Sequence, residues 1–87
     1  MELAIDVISP VHPYLQLANQ LRAAIEAGEF DRKQFPSLWE IVNETRFDGE
    51  PDRRISYNTA RRAVKILKDE GLLDAVPGRG TFVRRPQ

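Results

Sequence analysis

The chain has no cysteine and a single histidine, His12. The first absence excludes a disulfide framework and any thiolate metal site. The second excludes a zinc site built from histidines and a histidine-dependent catalytic arrangement. No apolar run is long enough to span a bilayer, and the acidic N-terminus has no signal-peptide pattern. No internal repeat or low-complexity stretch is present. The paired carboxylates Asp69 and Glu70 have no nucleophile or metal cluster near them in sequence, so no catalysis and no cofactor is assigned. What remains is 87 residues, 30% charged and 41% hydrophobic, suited to one small globular domain (residues 1–87) with a modest core. The expectation is a cytoplasmic protein with no membrane contact, and not an enzyme.

Net charge is missing too, because 13 basic and 13 acidic side chains cancel. The cancellation hides an asymmetry. Residues 1–52 hold 4 basic and 10 acidic side chains, whereas residues 53–87 hold 9 basic and 3 acidic. A neutral chain with such halves presents one basic surface, and the local field steers a polyanion. A run of charge is more commonly just the solvated face of a helix, so spacing has to decide.

Leu3, Ile5 and Val7 alternate with Ala4 and Asp6, the period of a short half-buried strand. Ser9-Pro10 and His12-Pro13 break it, and Pro13 suits the first turn of a helix, where its missing N–H has no partner anyway. Leu17, Ala18, Leu21, Ala24 and Ile25 recur at helical spacing up to a stop at Gly28. Phe30 and Phe35 are expected to plug the core from the following connection. Ser37 and Glu40 form a capping box, predicting a second helix that turns Leu38, Ile41 and Val42 inward and ends near Thr45 or Arg46. Residues 47–54 read as a turn-rich, charged loop.

Ser56 is a natural N-cap for a third helix over residues 56–70. Projection at about 100° per residue puts Thr59, Ala60, Ala63, Val64, Ile66 and Leu67 on one side. Tyr57, Asn58, Arg61, Arg62, Lys65 and Lys68 fall on the other. Gly71 ends the helix. Leu72 to Val76 and Thr81 to Val83 then read as two strands joined by Pro77-Gly78 at the centre of a type II turn. Arg79 lies between two glycines at the hairpin tip, and residues 84–87 read as a frayed tail. The fold class is α+β: three helices, a short N-terminal strand and a C-terminal two-stranded hairpin.

These elements, in this order, resemble the winged helix-turn-helix domain of the GntR family of bacterial transcription regulators. Residues 13–18 with Leu21, Arg22 and Ile25 look like its first helix, and Phe35-Pro36-Ser37 like its Leu-Pro-Ser opening of helix two. Ser56, Thr59, Arg61 and Ala63 fit its recognition-helix pattern. Residues 70–73 and 78–83 fit its helix end and wing. The Ile5-Asp6 strand is similar to the YtrA-like branch, and the likeness runs from about Ile5 to Val83. Two positions depart from the pattern: Trp39 and Tyr57 stand where the family commonly carries DNA-touching arginines. The loop over residues 47–54 is also longer than the family's turn. The resemblance further implies a C-terminal domain that binds an effector and dimerises; nothing follows the wing here, so a module without it is expected.

The resemblance implies a sequence-specific double-stranded DNA-binding protein, a small regulator or repressor. Its recognition helix would lie in the major groove, with the wing (residues 72–83) on the adjacent minor groove or backbone. Side-chain chemistry then distributes the roles. Arg61 matches guanine O6 and N7, Asn58 can pair with adenine, and Tyr57 can meet phosphate or a thymine methyl. Ser56 and Thr59 suit capping and phosphate contact, and Ser37 joins them at the start of helix two. Arg62, Lys65 and Lys68 suit phosphate, as do the loop residues Arg53 and Arg54. Arg79 can enter a narrow minor groove, or stand in solvent, while Gly80 and Thr81 can offer backbone N–H groups to phosphate. Trp39 is expected in core or boundary packing, with an exposed ring beside DNA or a partner protein as the alternative. Two other readings stand beside the regulator. One is a DNA-bending accessory, such as a recombination directionality factor contacting a recombinase; the other is a winged-helix protein-interaction module. A homodimer would read half-sites about one helical turn apart, although no dedicated dimer helix is visible.

Overall fold

Helical spacing of apolar residues becomes three helices in the computed structural model, which describes residues 1–84. They are α1 (Pro13–Glu26), α2 (Leu38–Glu44) and α3 (Tyr57–Asp69). α1 buries Leu17, Ala18, Leu21 and Ile25, and α3 buries Ala60, Ala63, Val64 and Leu67. The two faces meet, with Ile41 and Val42 of α2 completing the core. Phe30 and Phe35 plug it edge to face, ring centroids 4.9 Å apart. No helix among the described residues is long and apolar enough to cross a membrane.

The starts of α2 and α3 are each fixed by a local side-chain cap. Ser37 Oγ accepts from the Glu40 amide at 3.1 Å, and the Glu40 carboxylate accepts from the Ser37 amide at 3.3 Å. Ser56 Oγ accepts from the Thr59 amide at 3.0 Å. α3 closes with Gly71 at φ +79°, a conformation that spares glycine the Cβ clash other residues suffer. That turn lets Gly71 donate to Lys68 and Leu72 donate to Leu67, satisfying carbonyls that the helix leaves free.

Two small sheets flank the helices. β1 (Leu3–Ile5) runs parallel to β2 (Thr45–Phe47), pairing Leu3 with Thr45 and Ile5 with Phe47. β3 (Leu73–Val76) and β4 (Gly80–Val83) form the antiparallel wing. The second strand corrects the expected layout. α2 stops at Glu44, and Thr45 to Phe47 extend instead of continuing the helix or entering a loop. Thr45 and Phe47 are buried on either side of exposed Arg46, and the Thr45 hydroxyl donates to the Ile41 carbonyl at 2.6 Å. A β-branched residue bonded in this way favours the extended chain, and β1 supplies the backbone partner. Val7, expected in β1, lies beyond it and is exposed.

β2 leaves half of the β1 backbone unpaired, and α1 completes it. Gln20 Oε1 accepts from the Ala4 amide at 2.9 Å while its Nε2 donates to the Ala4 carbonyl at 2.6 Å. One turn earlier, Gln16 makes the same pair of bonds to Asp6, at 2.8 and 3.1 Å, and a third to the Val11 carbonyl. The far end of α1 is tied to α3. Arg22 makes a bidentate pair with Glu70, Nε–Oε1 2.8 Å and Nη2–Oε2 2.6 Å. Arg84, expected to fray, is held by its amide on the Leu72 carbonyl at 2.8 Å. Residues 85–87 of the expected tail lie outside the described residues.

Two consequences can be measured. Gln20→Ala strands a partly buried N–H and C=O of Ala4, and should lower the unfolding free energy by about 1–3 kcal/mol. It would be seen as a lower urea midpoint with an unchanged slope. The second concerns pH. The hydrogen bond from Arg22 holds the Glu70 carboxyl below its ordinary value of 4.5, and the same bond raises the Arg22 guanidinium. A carboxyl lowered on folding adds stability above its unfolded value and loses it as pH falls through the folded one. Because the Glu70 side chain is 39% exposed, screening keeps this below about 1 kcal/mol. Glu70→Gln should therefore melt earlier than the parent at neutral pH, and the two Tm values should converge in acid, below the folded value.

Candidate nucleic-acid interface

The basic face of α3 does not stand alone. Arg61, Val64, Lys65 and Lys68 line a cleft of about 320 Å³ together with Phe35, Pro36, Ser37 and Leu38 at the start of α2, and Thr81 of the wing. Its lining sets the apolar Phe35, Pro36, Leu38 and Val64 beside the cations Arg61, Lys65 and Lys68. Three chain segments far apart in sequence converge there, because α2 and α3 pack on the same core and the wing is anchored beside them. The Phe35 amide donates to the Thr81 carbonyl at 2.7 Å, and Gln34 forms a bridge with Phe82. The wing is thus a hairpin resting on a third segment. Its turn is closed by the Arg79 amide donating to the Val76 carbonyl at 3.0 Å, with Gly78 at φ +75°.

Side chains on the exposed face are held in place by short-range bonds. Arg61 donates through Nε and Nη2 to Asn58 Oδ1, at 3.3 and 3.1 Å. The hydroxyls of Ser56 and Thr59 lie 2.9 Å apart. Lys65 pairs with Asp69 at 2.8 Å, but both side chains are well exposed, so the pair can open for a stronger anion at little cost. Arg79 is exposed at the wing tip.

No family model matches the chain. Relatives do. Over 80 residues it is 36% identical to the HTH-type transcriptional repressor NagR of Bacillus subtilis (strain 168), covering 91% of this chain and 30% of the relative. Over 75 residues it is 33% identical to the arabinose metabolism transcriptional repressor of Geobacillus stearothermophilus, covering 85% and 18%. A crystal structure of a putative GntR-family transcriptional regulator superposes with a TM-score of 0.68 at 33% identity, over 87% of this chain and 27% of that one. The AraR DNA-binding domain, crystallised with operator ORX1, superposes with a TM-score of 0.67 at 25% identity, over 97% and 100%. The chain is a winged helix-turn-helix domain of the GntR type. It spans less than a third of the length of the curated repressors it matches.

In this GntR-type domain two sets of the expected site residues are brought together. Ser37, Arg61, Lys65 and Thr81 come together at the cleft. Ser56, Tyr57, Asn58 and Thr59 share the first turn of α3 or its cap. Arg62 sits apart: its guanidinium lies 3.8 Å over the Tyr14 ring of α1. Arg53 is likewise engaged, 4.3 Å over the Phe47 ring and 2.8 Å from Glu50, whereas Arg54 beside it is exposed. Trp39 is not core or boundary packing. It is 62% exposed, because Leu38, Ile41 and Val42 define the inner face of α2 and Trp39 falls outside that spacing. Its ring meets Tyr57, centroids 4.8 Å apart and planes tilted by 40°. Lys68 and Val64 were legible as helix-three positions, but Gln34 gives no sequence signal for supporting the wing.

Gly80 has a structural reason of its own. Its φ is +112°, and a Cβ there would collide with the Gln34 side-chain amide. Gly80→Ala should cost about 1–2 kcal/mol of stability and speed hydrogen exchange in the wing amides. Adding Gln34→Ala removes the collision and leaves the backbone strain, so it should restore only part of the loss.

Proposed function

We propose that this GntR-type domain binds double-stranded DNA sequence-specifically and supplies the operator-reading part of a transcription regulator, acting as a repressor. Residues 1–87 serve as a single DNA-binding unit. One observation carries the reading: the cationic face of α3, the start of α2 and the anchored wing converge on one cleft. That convergence suits a duplex, since a helix fits the major groove while flanking elements hold the backbone. The resemblance to NagR and to the arabinose repressor, both named as repressors, supports regulation over the recombination-accessory reading.

In this reading α3 enters the major groove with Arg61 on a guanine edge, preset by its bond to Asn58. Ser37, Arg54, Ser56, Thr59, Lys65, Lys68 and the Gly80-Thr81 backbone hold phosphates. Arg79 reaches from the wing tip into the neighbouring minor groove. Arg62 and Arg53 act chiefly by fixing α3 and its preceding loop, with their charge adding to the field. Two copies would read half-sites about one helical turn apart. The work is done on the chromosome, in the cytoplasm, by binding and not by catalysis.

Duplexes selected from a random pool, then titrated by fluorescence anisotropy over a salt series, test this. Arg61→Ala should lose about 1–3 kcal/mol and relax preference at one base pair. Lys65→Ala should weaken all sequences alike and flatten the log–log salt slope by about 0.9. Absence of binding to any duplex at low salt overturns the proposal.

A further inference from the structure

Trp39 and Tyr57 are contributed by different helices, yet their rings make one continuous apolar surface. Tyr57 is the first residue of α3 and Trp39 the second of α2. Both rings are exposed, Trp39 at 62% and Tyr57 at 41%. A pair of large aromatics left open to water is an expense that a purely structural role does not require. Exposed Val7, Ile8 and Val11 belong to the β1–α1 connection, so the aromatic pair is a separate patch. Its surroundings are those of the proposed DNA face: Asn58 and Arg61 follow Tyr57 on the helix, and Ser37 and Leu38 precede Trp39 at the cleft rim.

We infer that Trp39 and Tyr57 form a composite apolar contact for a thymine C5-methyl group in the major groove. This rests on the DNA-binding reading above. The start of a recognition helix is the part that meets base edges, and Tyr57 stands there. Among groups on those edges, the thymine methyl is the apolar one. Two neutral rings offer a phosphate only the tyrosine hydroxyl and the indole N–H, so a backbone role leaves most of their apolar surface unused. A base inserted between the rings is excluded by their contact: centroids 4.8 Å apart and planes 40° off parallel leave no slot. A methyl needs no slot, and the exposed apolar side of the tilted pair is taken as the shallow notch that receives it. Arg61 and this notch then read neighbouring positions by different physics, one by hydrogen bonds and the other by shape and desolvation. Because the notch needs both helices, it also reports the spacing between α2 and α3.

The test takes the duplex selected by the wild-type domain and replaces each thymine in turn by deoxyuridine, which deletes one methyl and alters nothing else on the edge. At one or two positions the wild type should lose about fourfold in affinity, the worth of one buried methyl. In Trp39→Ala that thymine-to-uracil ratio should collapse to about one, with the salt slope unchanged because no ion contact is lost. Tyr57→Phe should keep the ratio, since the ring and not the hydroxyl makes the notch. Trp39 is the sole tryptophan, so its emission should shift on binding the thymine duplex and shift less with uracil at the sensitive position. A urea midpoint for Trp39→Ala matching the wild type separates a local effect from unfolding. Tight duplex binding with no uracil-sensitive position, or a ratio that survives in Trp39→Ala, overturns the inference and leaves DNA binding standing. Preference for the thymine-rich single strand over the duplex also overturns it. Failure to bind any duplex removes the DNA reading, and this inference with it.

Discussion

Ala60 and Ala63 have no exposed surface, and their size sets how near α3 can lie to α1. Small side chains on one helix let Leu17 and Leu21 of the other settle close to its backbone, in a core packed like a crystal and not like a liquid. Every feature on the opposite face of α3 inherits its position from this contact. The Arg22–Glu70 pair ties the C-terminal end of α3 to α1, and the Arg62–Tyr14 stack ties its middle. A recognition helix held along its length in this way presents Arg61 and Lys65 at a set angle to α2 and the wing.

The helices were largely legible because each carries its own punctuation. Ser37 with Glu40, Ser56 with Thr59, and Gly71 act within one turn, and such signals need no knowledge of the rest of the chain. β2 lacked that privilege. Three residues after a helix do not announce a strand unless a partner is known, and the partner is β1, some forty residues earlier. The bonds from Gln16 and Gln20 were invisible for the same reason, since glutamine on a half-buried helix face carries no pattern of its own. Trp39 is a different case. The spacing of Leu38, Ile41 and Val42 already excluded it from the inner face, but the general habit of tryptophan outweighed that geometry.

On the candidate site, projection separated the two faces of α3 but not the partner each exposed side chain would find. Arg61 and Arg62 fall about 100° apart on the wheel, and one lines the cleft while the other reaches Tyr14. Partner choice at that level depends on what α1 offers nearby. The wing shows the same split. Its hairpin and turn followed from Pro77-Gly78 and the flanking strands, whereas its anchorage on Gln34 and Phe35 is a long-range fact.

The glutamines of α1 have a meaning beyond stability. A strand at the margin of a sheet normally shows a row of free amides and carbonyls, an invitation to any extended segment that drifts past. β1 withdraws that invitation, because Gln16 and Gln20 already occupy the groups β2 does not reach. An extended segment of another chain therefore finds no free backbone on this side of β1. Two amide side chains, one helical turn apart, thereby close the open flank of this strand.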